Sequence, residues 1–256
     1  QTAAKLSSDY CFPNRLEELL ALETATKIYP GDAKARYYLG NYWYGARQLE
    51  EAQSCWERSR EANSSFATVH RNLALAYFNK RHDAAAAQKS LEKAFDLDHS
   101  DARILMELDL LYKKTGMPIH GRLGLLDKYP ELVNERDDLY LERITLLNLC
   151  GKEEKALKLL MHRQFHPWEG GEGKVTDQYV LSLVELAKLA LDVKDVTGAI
   201  QYREQSQTYP HNLGEGQLFE AQENHIFYYL GCAYEMQGNK QEAQTYYNLA
   251  SRGLTE

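Results

Sequence analysis

Two short stretches hold the residues whose types and spacing best suit chemistry. FHPWEGGEGKVTDQ, Phe165 to Gln178, carries His166, Trp168, Glu169, Glu172 and Lys174, and YPHNLGEGQLFEAQEN, Tyr209 to Asn224, carries His211, Asn212 and Glu215. Each sets a His ahead of a Gly-Glu-Gly, and Glu172 and Glu215 fall 43 residues apart. Paired carboxylates, an exposed aromatic ring and glycine-permitted backbone suit a polar ligand or a sugar ring, and glycoside hydrolysis uses two carboxylates several Å apart. The same residues also serve plain architecture. Glycine supplies positive φ in tight turns, a Trp covers an apolar edge, and a glutamate accepts from the free N–H groups of a helix start. His162 and His166, one helical turn apart and near Glu169, have metal-ligand spacing, but no general-base motif accompanies them. No Gly-rich phosphate loop follows a strand, and no Ser-His-Asp or Cys-His arrangement is present, so the expectation is no catalytic residue, no metal and no cofactor in this chain.

The elements that position these stretches are helical. Sixteen glycines and six prolines punctuate 256 residues, and the segments between them are rich in Leu, Ala, Glu, Lys, Gln and Arg, the better helix formers. The formal charge of -7 is spread over interleaved acidic and basic residues, which gives no basic stripe for a nucleic-acid backbone. No run of eighteen apolar residues and no apolar signal core near Gln1 to Asp9 is present, so neither a membrane nor a nucleic acid is the expected partner. The four cysteines, Cys11, Cys55, Cys150 and Cys232, are far apart and form no Cys-x-x-Cys. That spacing fits a reducing cytoplasmic setting, with Cys55, Cys150 and Cys232 as buried apolar residues.

A period near 34 residues organises the chain. AKARYYLGNYWYGARQLEEAQSCWERSREANSSF, Ala33 to Phe66, shows it best: Leu39-Gly40, then Trp43, then Ala52 and Trp56 in a second helix. Leu73-Ala74, Tyr77, Ala87 and Leu91 repeat the phrase with one residue inserted near the turn, and Leu230-Gly231, Tyr234, Gly238, Ala243 and Tyr247 restore it in full. Weaker copies carry Tyr112, Gly116 and Gly121, then Tyr140, Gly151 and Ala156, then Leu183 and Ala199; Pro118 starts a second helix. The small residues Ala52, Ala87, Gly121, Ala156, Ala199 and Ala243 are spaced 35, 34, 35, 43 and 44, and the two long intervals hold the Gly-Glu-Gly stretches. This pattern resembles the tetratricopeptide repeat. The resemblance implies an all-α fold, a right-handed solenoid of stacked antiparallel helix pairs over residues 1–256. A partial repeat spans 12–30, repeats span about 33–66, 67–101, 102–133, 137–167, 180–210 and 224–253, and inserted loops span 165–178 and 209–224.

Such a stack implies a protein or peptide interaction scaffold whose inner surface is lined by the first helix of each pair. By register Tyr37, Asn41, Tyr44, Arg71, Phe78, Met106, Lys113, Leu141, Asn148, Lys188 and Tyr228 face inward. The carboxylate clamp known in this family wants a Lys where Tyr37 stands and a base where Glu107 stands, so that function does not carry over despite Asn41, Asn72 and Arg103. The phrases FHPWEGGEGKV and NLGEG resemble the helical C-terminal part of larger bacterial proteins with a β-rich, carbohydrate-active-type N-terminal domain. That resemblance implies a fragment, and an alternative role in which the loops complete a site or interface on that domain.

Overall fold

The computed structural model describes residues 11–218 and 224–252; residues 219–223, the end of the second insert, and the last residue of the sixth repeat lie outside it. Among the described residues the regular elements are all helices. The chain divides into two compact units, residues 1–117 and 118–256.

In the first unit α1 (Leu16–Ile28) lies on α2 (Ala33–Gly45), which pairs with α3 (Leu49–Ala62); α4 (Ala67–Asn79) pairs with α5 (Ala84–Leu97), and α6 (Ala102–Lys114) follows. The second unit runs α7 (Ile119–Lys128), a short α8 (Pro130–Asn134), α9 (Asp137–Leu149), α10 (Glu153–His162), α11 (Lys174–Asp192), α12 (Val196–Gln205), α13 (Asn224–Met236) and α14 (Lys240–Ser251). Within it, α9 packs on α10, α11 on α12 and α13 on α14.

Capping explains where the helices begin. Asp32, Asp83, Asp101, Asp195 and Asn239 each accept a hydrogen bond from a backbone N–H two or three residues on, satisfying donors the first turn leaves free. The turns inside the pairs share one ending. Gln48, Met117, Lys152, Asp195 and Asn239 each donate their N–H to the carbonyl five residues back, just after a left-handed residue at Arg47, Gly116, Gly151, Lys194 and Gly238, which is the Schellman closure. After α4 the bond from Asp83 reaches Tyr77, six back, and the residue inserted in that repeat is thereby accommodated with His82 left-handed.

Small residues set the pair spacing. Ala52, Ala87, Ala156 and Ala199 are fully buried, and a Cβ on Gly40 would stand 2.5 Å from the Trp56 ring, as one on Gly231 would from Tyr247. The Leu-Gly pairs therefore let an aromatic of the second helix lie on bare backbone of the first. Gly121 does not play this part: it is exposed, and α7 buries Arg122, Leu123 and Leu126 instead. Pro118 is the N-cap of α7 rather than its first-turn residue. Cys55, Cys150 and Cys232 are half-buried free thiols rather than core residues.

Candidate functional site

The two Gly-Glu-Gly stretches meet in the second unit. Phe165, 1% exposed, donates its N–H to the Asn212 carbonyl at 2.8 Å. The Asn212 side chain donates to the carbonyls of Leu160 and Arg163 at 2.9 and 3.1 Å, and Gln164 donates to the His211 carbonyl. A Cβ on Gly214 would stand 2.6 Å from the Phe165 carbonyl oxygen, and one on Gly173 would stand 2.5 Å from Leu218. Those two glycines, at φ +78 and +75°, are what allow the loops to touch.

The two glutamates part company here. Glu215 turns inward, one oxygen accepting the Gly173 N–H at 2.9 Å at the start of α11, while its other oxygen is buried with no hydrogen-bond partner. Glu172 is exposed, as are His166, Glu169, Lys174 and His211. Trp168 is half-buried rather than exposed; its ring lies over Gly171, where a Cβ would meet it at 2.1 Å. The first loop is tied to α9 through Asp137, which accepts from Arg163 Nε at 2.5 Å and from the His166 N–H at 3.1 Å. Burial opposes ionisation of Asp137, but those bonds outweigh it and hold its carboxyl below the usual range.

The expected inner-face residues divide in the same way. Tyr37, Leu141 and Asn148 are buried and belong to the packing: Tyr37 against Phe66, Asn148 bridging to Gln178 and Ser182. Asn41 is occupied, accepting from Trp56 Nε1 and Asn72 Nδ2, each at 3.1 Å. Arg71 makes a two-toothed ion pair with Glu107, which also accepts from Arg103 Nε. The residue that spoils the carboxylate clamp thus neutralises the cations around it. Phe78 lies under the Lys114 ammonium, 5.3 Å from its ring centre, and lines a notch of about 130 Å³ with Leu75, Leu110 and Leu111, room for roughly one side chain. Tyr44 and Tyr228 are about half exposed, Met106 and Lys188 are half-buried, and Lys113 is exposed.

A cleft lies beside the braced loops, between α11 and α13. It measures about 610 Å³, within the span of about 300–1,000 Å³ typical of ligand pockets. Thr176, Asp177, Val180, Leu181, Val184, Glu185 and Lys188 form one wall, His225, Ile226 and Tyr229 the other, and Tyr209, Gln217 and Leu218 of the second insert close one side. The α11 residues recur three and four apart, one face of one helix. Lys188 Nζ binds Glu185 at 2.5 Å and sits 5.0 Å from the Tyr229 ring centre. The same ring lies 4.4 Å from the guanidinium of Arg203, which is fully buried, gives one bond to the Val184 carbonyl and leaves Nε and Nη1 unpaired. Burial lowers the Arg203 pKa to about 10. Sequence register named only Lys188 of this cleft. The rest of the α11 face was readable as spacing, but its exposure depends on how α13 and the second insert stand beside it. Among the described residues no group of three His, Cys, Asp or Glu is placed to hold a metal ion, and no helix is long and apolar enough to cross a membrane.

No family model matches the chain. Among solved structures, the Naa15/Naa10 complex bound to HypK-THB is similar at TM-score 0.58 and 14% identity, over 93% of this chain and 34% of that one. YrrB, a TPR protein with an unusual peptide-binding site, aligns at TM-score 0.49 and 17% identity over 90% of each chain. A tetratricopeptide repeat protein from Parabacteroides merdae aligns at TM-score 0.47 and 14% identity over 92% of this chain and 87% of that one. The fold is of the tetratricopeptide type. At these identities the likeness is one of fold, and the site has to be argued from its own residues.

Proposed function

We propose that this chain is a protein-interaction module that binds a segment of a partner protein in the cleft between α11 and α13. The observation that supports this reading is the cleft itself: about 610 Å³, with Val180, Leu181, Leu218 and Tyr229 giving apolar area over the buried Val184 and Ile226, and a few charged groups at its borders. Burying an apolar side chain there contributes roughly 1.5–3 kcal/mol, so two or three anchors contribute roughly 3–9 kcal/mol toward association. The braced loops act in this reading as the frame that holds Leu218 and the start of α11 in place.

The test is selection of a 12-residue random peptide library on the protein, with titration calorimetry of the selected peptides. Leu181→Glu and Leu218→Glu, both on the cleft surface, should abolish binding while helicity by circular dichroism is kept. Selection of nothing, or of peptides indifferent to both changes, removes the proposal. A second reading is supported by the exposed His166, Glu169, Glu172 and Lys174 on a loop held rigidly by Asp137 and Asn212: that platform would dock against another domain, as the carbohydrate-active resemblance implies. Replacing these four by Ala while leaving peptide binding intact, and finding no loss of binding to an oligosaccharide panel or a neighbouring domain, removes it.

A further inference from the structure

We infer that Cys150 is a modification site: its thiol, paired with the imidazole of His120, exchanges with small disulfides and takes up a mixed disulfide. This inference is independent of the peptide cleft and rests on a pair that sequence spacing does not announce. Cys150 and His120 stand 30 residues apart, at the end of α9 and the start of α7, and folding sets Cys150 Sγ 3.4 Å from His120 Nδ1, a length that suits the larger sulfur atom. With the imidazole proton on Nε2, the thiol donates to Nδ1.

Rigid elements of the second unit hold both partners. Cys150 closes α9: its N–H donates to the carbonyls of Leu146 and Leu147, and Gly151 after it is left-handed at φ +68°, so the turn fixes its backbone. His120 is the second residue of α7, just inside the N-cap Pro118. Two ion pairs bind α7 to α9, Arg122 to Glu142 and Arg143 to Asp127, each at 2.6 Å. A thiol and an imidazole on two helices clamped in this way stay within reach of each other. They are also open to solvent. Cys150 is half-buried, His120 is exposed, and so are Leu149 and Gly151 on either side of the cysteine. Cys55 is the contrast, since burial there pushes the thiol up and so disfavours its reactive form.

Thiol–disulfide exchange needs a sulfur nucleophile, and a thiol becomes one by losing its proton. As Cys150 Sγ attacks one sulfur of an external disulfide, His120 Nδ1 takes the thiol proton. The external S–S bond breaks and a new S–S bond joins Cys150 to one half. The other half leaves as a thiolate that recovers the proton from the imidazolium. Cys150 is oxidised and the departing half is reduced, so the external disulfide is the only oxidant required. The partial burial of Cys150 favours a small, flexible disulfide, of which oxidised glutathione is the type.

The experiment treats the whole chain with oxidised glutathione and follows each cysteine-containing peptide by mass spectrometry over time. Cys150 should take up glutathione about tenfold or more faster than the more exposed Cys11, less than the ~100-fold of a base in a closed site because water competes here. His120→Ala, at an exposed position, should bring Cys150 down to the Cys11 rate or below with helicity unchanged. Added imidazole should then restore Cys150 while leaving Cys11 unmoved. A wild-type Cys150 no faster than Cys11 overturns the inference. So does a Cys150 rate unchanged by His120→Ala, or a loss that imidazole does not restore, which would leave His120 a packing neighbour alone.

Discussion

Gly214→Ala separates the bracing of the two loops from the ordinary cost of losing a glycine. Gly214 sits at φ +78°, where an L side chain costs about 1–2 kcal/mol, and its new Cβ would stand 2.6 Å from the Phe165 carbonyl oxygen and 3.1 Å from the carbonyl carbon. Backbone cannot swing away as a side-chain tip can. Relief requires the loops to part, which stretches the 2.8 Å bond from the Phe165 N–H to Asn212 and the two bonds from the Asn212 side chain. Each is worth about 1 kcal/mol net, so with the conformational cost the total comes to about 4–5 kcal/mol. Gly151→Ala in the same unit is the control, because its φ is +68° and nothing lies within 4 Å of its Cβ position; it should cost the conformational part alone. Urea unfolding followed at 222 nm gives the two costs, and hydrogen exchange at the Phe165 amide reports the local opening. A cost for Gly214→Ala equal to that of Gly151→Ala, with Phe165 protection unchanged, refutes the bracing.

Other consequences are as direct. Arg47→Gly, His82→Gly and Lys194→Gly each relieve an exposed left-handed residue and should raise stability by about 0.5–1 kcal/mol in the same unfolding assay. Asp177→Asn should raise stability at pH 7, because the folded-state pKa is raised and the charged form is therefore penalised only in the folded chain. Below the carboxylate range both states are protonated, so the gain should vanish on acidification. Glu107→Gln strips a half-buried Arg71 of its partner and should cost about 1–3 kcal/mol, with a smaller loss in Arg71→Met/Glu107→Met; additivity in that cycle would deny the coupling.

Much of the fold was legible because its signals are local. Leu39-Gly40 and Leu230-Gly231 reported helix crossings, and Gly116, Gly151 and Gly238 reported turns. Gly121 misled because its residue type matched the pattern while the helix turned other residues inward. Tyr37, Leu141 and Asn148 were read as groove residues on register, and a shift of about 100° per residue around the helix is enough to send such a side chain into the core. The loop chemistry was legible as composition but not as roles: nothing in two copies of Gly-Glu-Gly says that Glu215 caps a neighbour's backbone while Glu172 meets water. The cleft was least legible, since its walls come from α11, α13 and an insert, and only packing makes them one surface.

Amide and methyl chemical-shift mapping of a selected peptide on the labelled protein tests the central claim most directly. The account predicts shifts concentrated at Thr176, Leu181, Val184, Leu218, Ile226 and Tyr229, saturating together with one affinity. Shifts confined to His166, Glu169 and Glu172, or to Phe78 and Leu110 in the first unit, would contradict it.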